Sequence, residues 1–143
     1  MASIRREISI DAGPEHVWEA IRDFGAVHRR VAPGFVTDLR LDGEARIVTF
    51  ANGSVARELL VDSDDEARRL VYAIVGSRFT AHSASVQVFG EAGGRSRLVW
   101  ITDMLPNELA DYVGKQMDEA ALIMGGTLAR EAGEAAAAST REA

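Results

Sequence analysis

The chain has 143 residues, of which 47% are hydrophobic, and its 16 basic and 22 acidic side chains give a net charge of −6. This length suits one domain with a real core, and the acidic balance argues against nucleic acid or an anionic membrane surface as the main partner. The chain has no cysteine, which excludes disulfide bonds and thiolate chemistry. No apolar run has the length of a membrane span and no secretion signal is recognisable, so we expect no stable membrane anchor and a cytoplasmic location.

The chain begins with a strand and two short helical segments. Isoleucines at period two predict a strand over residues 3–11. Pro14 suits the first position of a helix, and Gly25 suits the end of one. A second short helical turn is predicted over residues 26–31, because a proline and a glycine follow it.

Six further strands are predicted, separated by tight turns. Asp42-Gly43 and Asn52-Gly53 are strong hairpin signals, because both central positions of a type I′ turn need a positive φ. The predicted strands cover residues 35–41, 45–50, 54–61, 69–75, 80–89 and 95–104. Together with the first strand they predict an antiparallel sheet of seven strands, most of them joined as a meander.

A long amphipathic helix is predicted over residues 107–131. Its apolar residues recur at three- and four-residue spacing, as on the buried face of a helix; they are Leu109, Val113, Met117, Ala120, Ala121, Met124 and Leu128. Such a helix needs a surface to cover, and a single antiparallel sheet needs one face covered. We therefore predict one α+β domain over residues 1–131. Residues 132–143 are rich in alanine and are predicted to form a disordered or frayed tail.

The order strand, two short helices, six strands and long helix resembles that of the helix-grip proteins, the START-like and birch-pollen-allergen-like (SRPBCC) superfamily. Residues 17–24 (VWEAIRDF), with His28 and Pro33 after them, are similar to the opening of its polyketide cyclase/dehydrase and lipid-transport branch. Other similar stretches are SVARELL at 54–60, LVY at 70–72, and Trp100 followed by Pro106 and the long helix. The resemblance covers about residues 3–131. It implies a curved sheet wrapped around the C-terminal helix, with a small-molecule cavity between them.

Alternate residues of a strand point to the same face, so one inward residue determines its neighbours. If Tyr72 faces inward, so does Ile74, and if His82 faces inward, so does Ala84. Two strands are ambiguous on periodicity alone. For these the resemblance places Trp100 and Thr102 in the cavity on the last strand, and Glu58 and Leu60 on the fourth. The opposite residues of the fourth strand are the more apolar set, so there the pattern and the resemblance disagree.

On the long helix, four residues stack at four-residue spacing and are expected to face the cavity: Val113, Met117, Ala121 and Gly125. Gly125-Gly126 has two interpretations of equal weight, because missing side chains either leave volume for a ligand or allow close packing. The loop of residues 76–80 is longer than a two-residue hairpin turn. In related plant hormone receptors the corresponding loop is a lid, so the resemblance makes Phe79 a candidate to close the cavity and Arg78 to meet an acidic ligand.

His82 and Glu58 are the candidate catalytic residues. A neutral imidazole can donate to or accept from a ligand carbonyl or hydroxyl group. An inward Glu58 needs a partner such as Tyr72, Arg46 or a water molecule, because an unpaired buried carboxylate is costly. Paired with each other, His82 and Glu58 would form a general acid–base couple. The alternatives are a half-buried histidine bonded to protein and a surface carboxylate. The histidines show no metal-binding pattern and no cofactor motif is present, so neither a metal nor a cofactor is predicted.

Three functional hypotheses follow. The first is a binding or transport protein for a hydrophobic small molecule such as a lipid, polyketide or hormone. The second is an enzyme of the polyketide cyclase or dehydratase kind, using a His/Glu pair in the same cavity. The third is a co-chaperone-like interaction domain, which would have a filled interior and an exposed apolar patch. The absence of a strong catalytic motif favours the first hypothesis. The sequence gives no indication of the oligomeric state.

Overall fold

The computed structural model describes the backbone of residues 1–142 and the side chains of residues 1–138. The strands in this part of the chain are β1 (Ala2–Ile10), β2 (Val36–Asp42), β3 (Ala45–Phe50), β4 (Val55–Asp64), β5 (Arg69–Val75), β6 (Ala81–Glu91) and β7 (Arg95–Leu105). The helices are α1 (Pro14–Arg22), α2 (Val27–Arg30) and α3 (Ala110–Glu142), with 3₁₀ turns at Phe24–Ala26 and Asn107–Leu109.

The seven strands form one antiparallel sheet in the order β1-β7-β6-β5-β4-β3-β2. Strands β2 to β7 are a meander, and β1 pairs with β7, so the two ends of the strand sequence lie side by side. Helices α1, α2 and α3 cover one face of the sheet, and the main core lies between them. The predicted α+β helix-grip fold is confirmed.

The main core contains several of the most completely buried side chains, and α3 packs against β1 beside it. Ile10, Leu98 and Leu128 are almost completely buried there, and Val17 of α1 packs into the same cluster. Burying aliphatic side chains of this size stabilises a fold by about 1.5–3 kcal/mol each. This cluster therefore anchors one end of α3, whereas the other end, near Val113 and Met117, packs in a smaller second cluster.

Strand β7 explains why periodicity did not select its inward face. Leu98, Thr102 and Met104 are buried on the face toward α3. Val99, on the opposite face, is also buried. A strand covered on both faces shows an almost continuous apolar run rather than alternation, so its orientation follows from the sheet register.

Two elements are longer than the sequence pattern predicted. Strand β4 continues to Asp64, three residues beyond the predicted strand, because a register shift between Leu60 and Asp62 lets it remain paired with β5. Helix α3 begins at Ala110, after a 3₁₀ turn, and continues to Glu142. Residues 132–142 have helical conformation, which alanine favours, and fraying of this segment stays a prediction. Residue 143 of that tail lies outside the described residues.

Candidate functional site

A cavity lies between the inner face of the sheet and α3. Its larger lobe, of about 350 Å³, opens between α3, the β3–β4 turn and the β5–β6 loop. A smaller lobe of about 80 Å³ lies deeper, under α1 and α2. Five residues line both lobes and mark their junction: Phe35, Phe50, Glu58, Tyr72 and Trp100.

Most residues predicted to face a ligand line this cavity. They come from β4, β5, β6, β7, the β5–β6 loop and α3, and are Glu58, Tyr72, Ile74, Phe79, His82, Trp100, Thr102, Val113 and Met117. The sheet register explains their convergence, since Glu58 lies opposite Ile74 on β5, and Thr102 lies opposite Ala84 on β6. That these side chains bind a ligand stays a prediction.

Four predicted residues do not line either lobe. Leu60 is half-buried beside the β4 register shift, and Ala84 is buried in the core. Ala121 and Gly125 lie away from the cavity on α3. A Cβ atom at Gly125 would lie 3.4 Å from Cγ2 of Ile8, so this glycine packs against β1 and does not leave room for a ligand.

Helical twist is the reason for the error on α3. A step of four residues turns a helix by about 400°, so a row at constant four-residue spacing winds away from its starting direction by about 40° per step. Val113 and Met117 therefore face the cavity, whereas the row has turned toward β1 by Gly125. A three-residue step restores the direction, and Ala120 and Met124 line the inner lobe instead.

Glu58 is held in a buried ion pair. Nε of Arg46 donates to Oε1 of Glu58 at 2.8 Å, and the two residues are 5% and 6% exposed. They lie directly opposite each other on β3 and β4. Arg46 also donates from Nη1 to the carbonyl oxygen of Phe24 at 3.1 Å, and its guanidinium lies 4.0 Å from the centre of the Phe24 ring. Of the partners considered for Glu58, the structure selects Arg46.

The candidate His82–Glu58 couple is not formed. Nδ1 of His82 instead accepts a hydrogen bond from the backbone N–H of Ile74 at 3.0 Å. The β5–β6 pairing ends at Tyr72 opposite Ala84, and the imidazole accepts from the amide two residues farther along β5, that of Ile74. The ring also contacts those of Phe79 and Tyr72, with centroid distances of 4.9 and 6.2 Å.

This environment keeps His82 neutral. Burial lowers the pKa of His82 to about 4, although the nearby Asp103 carboxylate acts in the opposite direction. Because Nδ1 accepts the Ile74 amide, the proton of the neutral ring resides on Nε2. His82 is therefore a hydrogen-bond donor at neutral pH, and its role as a general base in a couple with Glu58 is not supported.

Two more polar groups lie at the junction of the lobes. Burial and, to a lesser extent, the Glu58 carboxylate raise the pKa of Tyr72 above its usual range, although Arg46 and Trp100 act in the opposite direction. Nε1 of Trp100 is buried and forms no hydrogen bond of good geometry with the described residues. An unsatisfied buried donor is costly. This part of the cavity wall therefore carries a donor that a ligand could satisfy.

The mouth of the cavity is closed in part by Tyr112 of α3. Nδ2 of Asn52, in the β3–β4 turn, donates to the Tyr112 hydroxyl at 2.9 Å. The guanidinium of Arg78, in the β5–β6 loop, lies 5.1 Å from the centre of the Tyr112 ring. Arg78 thus contacts an aromatic ring at the rim, and Phe79 lies on the cavity wall beside His82.

Sequence reasoning missed several lining residues. Tyr112 and Gln116 each precede a predicted cavity residue of α3, and helical spacing would have found them. Phe35 and Phe50 line both lobes and pack edge to face with centroids 5.6 Å apart. Their position depends on the pairing of β2 with β3, for which the sequence offered only the Asp42-Gly43 turn as a signal.

Among the described residues, no group of three or more His, Asp or Glu side chains is placed to hold a metal ion. The part of the chain that the structure describes also contains no helix that is long and apolar enough to cross a membrane.

The sheet, the three helices and the cavity define a START-like, birch-pollen-allergen-like (SRPBCC) fold. The chain belongs to the family described as polyketide cyclase/dehydrase and lipid transport, whose model matches residues 1–138. No curated protein gives a significant match to the chain.

Solved structures with this fold belong to proteins of different kinds. An uncharacterised protein from Bacillus thuringiensis has a TM-score of 0.79 at 18% identity, covering 89% of this chain and 98% of its own. Norcoclaurine synthase from Thalictrum flavum has a TM-score of 0.72 at 18% identity, covering 93% and 94%. The di-domain ARO/CYC protein BexL, from the BE-7585A biosynthetic pathway, has a TM-score of 0.71 at 17% identity, covering 90% of this chain and 46% of its own. At these identities the likeness concerns the fold alone.

Proposed function

We propose that this protein binds and carries a hydrophobic small molecule in the cavity between the sheet and α3. The observation that carries the proposal is the larger lobe of about 350 Å³, which opens at the rim and has mainly apolar walls. This volume lies at the lower end of the range for small-molecule sites, about 300–1,000 Å³, and such sites combine apolar walls with a few polar groups. The net charge of −6 favours such a ligand over nucleic acid.

The test compares two tryptophan substitutions on α3. Val113→Trp places an indole in the larger lobe, whereas Leu122→Trp places one at a surface position, where the leucine is 83% exposed. Native mass spectrometry of protein purified from its own host would show a co-purifying ligand in the unmodified chain and in Leu122→Trp. We expect the ligand to be lost from folded Val113→Trp. Retention of the same ligand by folded Val113→Trp would contradict the proposal.

A cyclase or dehydratase is the second candidate. The family description names both activities, and the structure of BexL carries the label ARO/CYC. One observation favours it: neutral His82 lines the cavity, and its Nε2–H can polarise a substrate carbonyl without carrying a charge. Glu58 is paired with Arg46, so a mechanism of this kind would rest on polarisation and orientation rather than on a His/Glu couple.

Substitution of His82 distinguishes carrier from enzyme. His82→Asn keeps a side-chain acceptor for the Ile74 amide and removes the Nε2–H donor. With a poly-β-carbonyl thioester as substrate, an enzyme would lose water-releasing turnover in His82→Asn while retaining binding. A carrier would release no water with either protein. A co-chaperone-like domain would have a filled interior, and the open cavity supports the first two candidates over it.

A further inference from the structure

The interior of the cavity has no net charge. Three charged side chains line it, namely Arg46, Glu58 and Arg78. Arg46 and Glu58 neutralise each other in the buried pair, and Arg78 is exposed at the rim, over Tyr112. A ligand carboxylate placed inside would lie near Glu58 without a free cation, and burying an unpaired charge is costly. The interior therefore favours an uncharged ligand.

The cavity offers a hydrogen-bond acceptor at one place and a hydrogen-bond donor at another. At the junction of the lobes, Oε1 of Glu58 accepts from Arg46, and no described residue donates to its second oxygen, Oε2. Glu58 thus offers an acceptor to the cavity. In the larger lobe, Nδ1 of His82 is occupied by the Ile74 amide, which leaves the Nε2–H of the ring free to donate to a ligand. His82 thus offers a donor.

The walls between these two groups are mainly aromatic. Phe35, Phe50 and Trp100 line the junction, and Phe79 lines the wall beside His82. Aromatic rings favour stacked or edge-to-face contacts with other rings. A flat ring system therefore makes more contact here than a flexible acyl chain, which would also lose more conformational entropy on binding.

Resting on the proposed binding function, we propose that the ligand is an uncharged, flat ring compound with a hydroxyl group at one end and a carbonyl group at the other. The hydroxyl donates to Oε2 of Glu58 at the junction of the lobes, and the carbonyl oxygen accepts from Nε2–H of His82. This assigns a hydroxylated aromatic or cyclic ketone, rather than a fatty acid or an anionic lipid, as the ligand class.

Four naphthalene probes with substituents at opposite ends test this assignment: a naphthol, an acetylnaphthalene, a hydroxyacetylnaphthalene and a hydroxynaphthoate. Titration calorimetry at neutral pH gives each Kd. We expect the hydroxyacetyl probe to bind about tenfold more tightly than either singly substituted probe, as one good hydrogen bond provides. The hydroxynaphthoate is expected to bind more weakly than the naphthol, because its carboxylate is buried without a cation.

The variant arm uses His82→Asn, whose folding is checked by circular dichroism. We expect this variant to lose the advantage of the acetyl group while its affinity for the naphthol stays within about twofold of the unmodified chain. Equal affinities for the three uncharged probes, tightest binding of the hydroxynaphthoate, or an intact acetyl advantage in His82→Asn would each overturn the assignment while leaving the binding function in place. Binding of none of the four probes would overturn the proposed function and this assignment with it.

Discussion

At the scale of single residues, the cavity wall is determined by where each buried polar group finds its partner. Glu58 takes the guanidinium opposite it on β3, and His82 takes an unpaired backbone amide on β5. Both partners lie on neighbouring strands, so neither arrangement depends on residues adjacent in sequence. The hydrogen-bonding atoms available to a ligand are those that these pairings leave free.

The pKa of His82 makes stability depend on pH. This pKa is about 4 in the folded chain and 6.5 for a histidine in the unfolded chain. Between pH 4 and 6.5 the unfolded chain therefore binds the proton more readily. The free energy of unfolding should therefore decrease as the pH falls from about 6.5 to 4. Urea unfolding midpoints across this range would measure the slope.

His82→Asn should flatten this dependence, because asparagine does not titrate. Ser83→Asn, on the exposed neighbour of the same strand, is the matched control and should leave the slope as it is in the unmodified chain. An unchanged slope in His82→Asn would show that His82 is not the group responsible.

Because the ion pair is buried, removing one partner should lower the free energy of unfolding more than removing both. Arg46→Met leaves the Glu58 carboxylate buried without its cation and should lower the free energy of unfolding by about 3–5 kcal/mol. Combining it with Glu58→Leu should recover most of that loss, since both charges are then absent. Chemical denaturation of the three proteins would measure the effect, and a loss below about 1 kcal/mol in Arg46→Met would contradict the importance of the pair.

At the scale of elements, α3 has two functions along its length. Near its start, Val113 and Met117 line the larger lobe, and Tyr112 connects the helix to both hairpin loops at the mouth. Farther along, Gly125 and Leu128 lie against the sheet and the core. The twist of the helix separates these functions, because a row of residues at four-residue spacing turns by about 40° per step and so leaves the cavity within a few turns.

Gly125→Ala tests the packing function. Alanine is favoured over glycine inside a helix by about 0.5–1 kcal/mol, and its Cβ would be in ordinary contact with Ile8. We expect the free energy of unfolding to increase by up to that amount while probe affinity stays unchanged. A loss of affinity comparable to that of Val113→Trp would mean that Gly125 does face the ligand.

Tyr112→Phe tests the mouth. The substitution removes the hydroxyl that accepts from Asn52 and keeps the ring beneath Arg78. Losing this hydrogen bond should increase the rate of ligand dissociation by about two- to tenfold, as measured by stopped-flow fluorescence. Asn52→Ala should have the same effect, and the double variant should be no faster than either single one. Additive effects would show that the two residues act independently.

At the scale of the whole molecule, α3 extends beyond the sheet that it covers. Ala132 still packs against the core, whereas residues 133–138 are exposed. An isolated helical segment this short is marginal in water even when it is rich in alanine. We therefore expect fast amide hydrogen exchange in residues 133–142 and a change below about 0.5 kcal/mol on truncation after Ala132. Slow exchange there, followed by mass spectrometry, would contradict the expectation of a frayed segment.

The sequence by itself determined the order and type of the elements. Turn signals such as Asp42-Gly43, the period-two strands and the spacing of apolar residues in α3 act within a few residues, so they can be read locally. With the resemblance they also predicted part of the cavity wall, including Tyr72, His82 and Met117. These residues can be predicted once the fold and the inward face of each strand and helix are correct.

Only the tertiary structure decided the pairings inside. The partner of Glu58 depends on the register of β3 with β4, and the tautomer of His82 depends on where the β5–β6 ladder ends. The contact of Gly125 with Ile8 depends on the rotation of α3 over β1. Each of these is a contact between residues distant in sequence, and local patterns carry no information about its geometry. The physical reason is that burial and hydrogen-bond satisfaction are properties of the assembled core, where one register or rotation selects a partner for every polar group at once.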